Sequence, residues 1–154
     1  MKLALLLSIG VITSCAFSDA NAVDAPPRKS GLWEVTTRTG AHQTVLHTCV
    51  GNAAEQVKAN AEALNSMKSM CSKQDVRMVG GKLVGDSLCN LAGSTATIHA
   101  TTTFSGDRFA HTAEHNEGTS TYSPPLSGQS QATTVTESKW VGSCKPGQKL
   151  GMVR

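Results

Sequence analysis

Five cysteines and five histidines in 154 residues are the groups best able to carry covalent, metal or acid–base chemistry here. Cys15 lies in an apolar N-terminal run, while Cys49, Cys71, Cys89 and Cys144 are spread along the rest of the chain. No two cysteines stand at the Cys-x-x-Cys spacing that zinc sites use, so a metal centre is not expected. Four cysteines in an exported chain read as two disulfides, with three possible pairings. His111 and His115 are four residues apart, roughly 13 Å along a strand, which is too far to share one ion. His99 is expected opposite Glu114 across a hairpin; as a surface polar pair it is worth a few tenths of a kcal/mol. His111 falls on the predicted inner face as a ligand-contacting or structural imidazole, and His47 reads as structural. There is no Gly-x-Ser-x-Gly elbow, no His-Glu-x-x-His and no phosphate-binding glycine loop. No catalytic residue and no cofactor are therefore assigned, and an enzyme is not the favoured reading.

The compartment is read from the N-terminus. Met1-Lys2 is a short positive start, Leu3 to Phe17 an apolar run, and Ser18-Asp19-Ala20-Asn21-Ala22 a polar segment ending small-x-small. This is the layout of a secretory signal cleaved after Ala22, too short for a stable membrane span. Residues 1–22 are thus expected to be a signal peptide and residues 23–154 a single β-rich domain. The mature protein would be periplasmic or secreted, with no transmembrane span. The competing reading is Ile12-Thr13-Ser14-Cys15 as a lipoprotein signal that leaves Cys15 lipid-anchored.

Composition narrows the partners. A net charge of +3, no basic cluster longer than Arg28-Lys29, and 4% aromatic residues give no nucleic-acid footprint.

The elements that hold these residues follow from periodicity. Val23 to Ser30 reads as an extended leader. From Gly31, Trp33, Val35 and Thr37 alternate with Glu34, Thr36 and Arg38, predicting a strand that turns at Gly40-Ala41 into a second over Gln43–Val50. Asn52 to about Ser69 has helical spacing at Val57, Ala61, Leu64, Met67 and Cys71, with Asn52 and Glu55 placed as a capping box. Asp75–Val79 and Lys82–Leu88 flank Gly80-Gly81, a hairpin signal. Ser94–Phe104 and Arg108–Asn116 form another, read as turning at Ser105-Gly106-Asp107. Phe104 would then oppose Phe109, and Ala100 would oppose Ala113. Glu117–Gly128 reads as a loop, Gln129–Val141 as a last strand, and the chain after Pro146 as a frayed tail. The sum is a mainly β (α+β) fold, a curved antiparallel meander of about seven strands with one helix over an end or edge.

Centring one hairpin on Gly80-Gly81 brings Cys71 and Cys89 within about one residue of direct opposition, near the separation that a disulfide needs. Cys49 and Cys144 are then left for each other.

These residues resemble a known pattern. Gly31-Leu32-Trp33-Glu34-Val35-Thr36 follows a signal-like segment, Thr48-Cys49-Val50 comes one strand later, and Trp140-Val141-Gly142-Ser143-Cys144 closes the four-cysteine order. The chain resembles the exported proteobacterial family called domain of unknown function 3617. The resemblance implies a Gram-negative periplasmic or secreted protein and brings no activity with it. Relatives often carry a Met- and Pro-rich stretch where this chain has only Gly40-Ala41-His42.

The favoured function is a non-enzymatic binding or interaction module. Its ligand-contacting residues would be Trp33, Ile98, Phe104, Phe109 and His111 on the concave face, and its partner a small apolar molecule or an envelope protein. The alternatives are an envelope structural or stress protein without a small ligand, and a hydrolase using His99, Glu114 or His111.

Overall fold

The computed structural model describes residues 23, 25–107 and 109–153; the apolar N-terminal run, Cys15 and the expected cleavage position after Ala22 lie outside them. Eight strands and one helix follow in the order β1 (Gly31–Thr39), β2 (His42–Val50), α1 (Ala53–Met67), β3 (Cys71–Val79), β4 (Lys82–Leu91), β5 (Ser94–Asp107), β6 (Ala110–Leu126), β7 (Gln129–Gly142) and β8 (Gly151–Val153). They form one open antiparallel sheet in the order β3-β4-β5-β6-β7-β1-β2-β8, with β3 and β8 at its edges. Every connection from β3 to β7 is a hairpin between neighbours. Two long-range pairings complete the sheet: β7 returns to β1, where Thr39 pairs with Thr134 and Trp33 with Trp140, and β8 pairs with β2. Leu83 of β4 and Thr48 of β2 stand five strands apart yet border one cleft, so the sheet curls around its inner face.

Along β5 the even residues face inward: Ser94 and Ala96 are buried, while Thr95, Thr97 and His99 are exposed. The same parity carries across the ladders to Glu114, Asn116, Ser138 and Thr136. Little on this face is large. Among the described residues, Trp33 is the one large side chain that is fully buried, beside the half-cystines Cys49, Cys71 and Cys89 and small Ala96. Hydroxyls fill much of the remainder, with Thr39 and Thr134 bonded at 2.9 Å and Asn116 donating to Thr102 at 2.7 Å.

Two disulfides hold this sparse interior. Cys71 and Cys89 face each other across the β3–β4 ladder, and Cys49 of β2 joins Cys144 just beyond β7. The pairing is the one the hairpin register predicts, because Gly80 and Gly81 both take positive φ and close a two-residue turn between Val79 and Lys82. In the chain-entropy account the short loop is worth about 3 kcal/mol and the long one about 4.7 kcal/mol.

Four local expectations are corrected. The β5–β6 turn contains Phe109, with its amide bound by the Asp107 carboxylate at 2.9 Å, instead of centring on Gly106. Phe104 therefore opposes Glu114, Ala100 opposes Gly118 and His99 opposes Thr119. Gly106 lies opposite a bulge on β6 whose extra residue is Thr112, and a Cβ there would come within 2.9 Å of the Thr112 amide. Residues 117–126 continue β6 instead of forming a loop, although pairing with β7 becomes irregular between Thr121 and Leu126, where Pro124 and Pro125 lack amide donors. The chain after Pro146 is not frayed: it turns at Lys145–Gln148 and adds β8 to the edge of β2. Finally, α1 has the predicted Asn52–Glu55 capping box but buries no residue, leaving Val57 and Leu64 exposed.

Candidate functional site

The bulge at the start of β6 creates the site. On a regular strand, residues three apart face opposite ways. Here Ser105 pairs with Ala113 while Gly106 pairs with His111, so one residue of β6 is extra and the parity resets. His111 and Glu114 consequently both point inward, and His111 Nε2 lies 2.6 Å from Glu114 Oε1. A carboxylate only accepts, so the imidazole donates from Nε2. The His111 ring packs against Phe104 at 4.9 Å and edge-on to Trp33 at 5.7 Å. Its Nδ1 is buried and has no hydrogen-bond partner among the described residues.

The leader supplies the third member. Arg28 Nε donates to Glu114 Oε1 at 2.8 Å and Nη2 to Oε2, a forked pair, with the guanidinium 5.2 Å from the Trp33 ring centre. Its backbone is held as well. The Arg28 amide donates to Gln56 Oε1 at 2.9 Å, and Gln56 Nε2 donates to the Arg28 carbonyl at 2.8 Å. The flanking residues make a parallel bridge to β6, with the Lys29 amide donating to the His111 carbonyl and the His111 amide to that of Pro27. The leader thus crosses the inner face between β6 and α1.

Electrostatics fix the state of the carboxyl. Burial pushes the Glu114 pKa up, but the Arg28 guanidinium and the His111 N–H outweigh it, and the net shift is downward from 4.5. Glu114 is a fixed anion at neutral pH with both oxygens engaged, better suited to clasping than to moving protons.

Beside this clasp lies a cleft of about 980 Å³ between the inner face and the N-terminal half of α1. Its sheet side carries Leu83, Thr102, Phe104, Asn116, Thr136 and Ser138. Its helix side carries Ala53, Gln56, Val57 and Asn60, and the leader closes it with Pro26, Pro27 and Arg28. The lining mixes hydroxyls and amides with apolar carbon.

Of the five residues expected to contact a ligand, Phe104 and His111 border this cleft. Trp33 packs under them, fully buried. Ile98 shares their face but is six residues from Phe104, roughly 20 Å along β5, and Phe109 is 71% exposed in the turn. Arg28, Gln56 and the inward turn of Glu114 do not follow from strand periodicity; only Gly106 inside β5, taken as the partner of a bulge on β6, signals the last.

The His99–Glu114 pair is not formed, because the register differs by five residues. His99 instead meets Asp86 at 2.6 Å on the outer face, where Arg77 bridges Asp86 and Asp75. His115 meets Glu137 at 2.6 Å, and Glu34 binds Lys139 at 2.8 Å with His47 at 3.5 Å. These are solvated cross-strand pairs of small energetic weight. Among the described residues, no group of three or more His, Cys, Asp or Glu is placed to hold a metal ion. No helix there is long and apolar enough to cross a membrane.

The pattern of the family described as Protein of unknown function (DUF3617) matches residues 28–144. The chain belongs to the DUF3617 family. The matched stretch begins at Arg28 and ends at Cys144, so it takes in the clasp, both disulfides and most of the cleft. No curated protein and no solved structure matches the chain.

Proposed function

We propose that this DUF3617 member is an exported, non-enzymatic binding module that holds a small amphiphilic molecule in the cleft between α1 and the inner face of the sheet. The observation that carries the reading is the stand-off of the helix: fifteen residues long, it buries none of them, and about 980 Å³ stays unfilled beneath it. That volume lies within the usual range for small-molecule sites. The lining refines the apolar ligand expected from sequence. Phe104, Leu83 and Val57 offer carbon, whereas Thr102, Asn116, Thr136 and Ser138 offer hydrogen bonds along one side. A molecule with an apolar body and a hydroxyl- or amide-bearing flank satisfies both. Arg28 and Glu114 neutralise each other in the clasp, and Glu55, the other charged residue of the lining, is engaged in the helix cap.

Two disulfides support an oxidising compartment, as does the signal-like N-terminus. Native mass spectrometry of mature protein from its producing cells tests the ligand. The expected result is a bound species of a few hundred daltons, absent from a Thr136→Trp variant that fills the cleft. Consistently empty wild-type protein that also binds no amphiphilic dye would overturn the proposal.

A second reading, docking of an envelope protein, draws on the exposed Val57 and Leu64 of α1 and Val45 and Leu46 of β2. In-cell crosslinking from Leu64 separates it: a reproducible protein adduct with an empty cleft favours docking.

A further inference from the structure

Residues 27–30 are contacted in the way a bound peptide is contacted by a receptor. The Pro27 carbonyl accepts from the His111 amide, and the Lys29 amide donates to the His111 carbonyl. Gln56 binds both the amide and the carbonyl of Arg28. Trp33 Nε1 donates to the Lys29 carbonyl at 2.8 Å, and Trp140 Nε1 to the Ser30 carbonyl at 3.0 Å. Side chains are read too. Arg28 forks onto Glu114 and stacks on Trp33, the Lys29 ammonium sits 3.9 Å from the Trp140 ring centre, and Ser30 Oγ donates to the Gly51 carbonyl at 2.9 Å.

Main-chain pairing combined with separate side-chain seats is how extended peptides are recognised. The segment also lies outside the sheet's ladders. It makes one parallel bridge, against nine paired positions between β1 and β2, so it can leave without unpairing a strand.

We propose that Gln56, His111, Glu114 and Trp140 form a recognition groove for an extended Pro-Arg-Lys peptide, filled here by the chain's own residues 27–30 and open to the same motif on a partner protein. The two cation seats set the specificity. The forked Arg28–Glu114 pair demands guanidinium geometry, whereas the Trp140 face accepts a second cation through its π-system. The groove adjoins the amphiphile-binding cleft and shares Pro27, Arg28, Gln56, His111 and Glu114 with its lining, whereas the Trp140 seat for the second cation lies outside it.

The test uses the full mature chain carrying Arg28→Gln and Lys29→Gln, which vacates both cation seats. The synthetic peptide Ala-Pro-Pro-Arg-Lys-Ser is the probe, and fluorescence of the chain's two tryptophans is the readout. The variant is expected to bind the probe at least tenfold tighter than wild type, whose groove is occupied, and to ignore a probe with Gln at both cationic positions. Equal binding by variant and wild type, or equal binding of both probes, would overturn the groove. A second measurement on unaltered protein decides independently of the variant's folding. The Arg28 and Lys29 amides are expected to exchange hydrogen well before amides of the β6–β7 ladder. Exchange only through global unfolding would make residues 27–30 a permanent part of the fold and sink the proposal.

Discussion

Glu114 shows how much can rest on one carboxylate. It anchors the leader through Arg28, orients His111 through Nε2, and stays ionised because both partners outweigh the cost of its burial. Replacing it with Gln leaves Arg28 without its counter-charge. The expected loss is about 2 kcal/mol, less than for a fully buried pair because the Arg28 side chain is one-third exposed. The pH dependence has a definite sign. A carboxyl whose folded pKa lies below its unfolded value contributes stability above the unfolded value, and that contribution disappears as pH falls through the folded one. Denaturant titrations of wild type and Glu114→Gln should therefore differ at pH 7 and converge in acid below about 4.5. A constant difference across that range would show that the carboxylate's charge is not what matters. None of this was legible from Glu114 as an isolated residue, since strand alternation assigns it to the outer face. A single extra residue at the bulge reverses that assignment, and a glycine within a strand signals a bulge as readily as a turn.

At the level of elements, α1 and the leader behave as attachments to the sheet, and two substitutions test how they are attached. Asn52 accepts from the Glu55 amide at 3.1 Å while the Glu55 carboxylate accepts from the Asn52 amide at 2.8 Å. Asn52→Ala should lower stability by about 1 kcal/mol and, because α1 buries nothing, should loosen the helix before the sheet. Faster exchange confined to α1 amides checks this. Gly31 has φ of +133°, and a Cβ there would come within 2.4 Å of the Gly142 carbonyl oxygen and 2.5 Å of Trp140 Nε1. Gly31→Ala should cost at least about 2 kcal/mol and displace the leader, measurable as a rise in leader amide exchange and a drop in the unfolding midpoint. The helix and its cap were visible in sequence because both obey local rules. Gln56 as a clamp was not, since its partner Arg28 is 28 positions away and nothing local points to it.

For the whole molecule, the hairpin order and both disulfide pairs followed from periodicity and the Gly80-Gly81 turn. The cleft did not, because sequence patterning shows which faces are apolar but not whether two faces close on each other. Two disulfides tie β3 to β4 and β2 to the segment after β7, a polar clasp ties the leader to β6 and α1, and an interior held by such ties need not be packed full. A filled core would tolerate reduction; this one should not. Thermal unfolding of residues 23–154 at neutral pH, with and without a thiol reductant, is the most direct measurement. The expected result is a midpoint lower by more than about 10 °C in the reduced protein, given several kcal/mol of lost constraint. An unchanged midpoint after complete reduction, verified by thiol titration, would contradict the account.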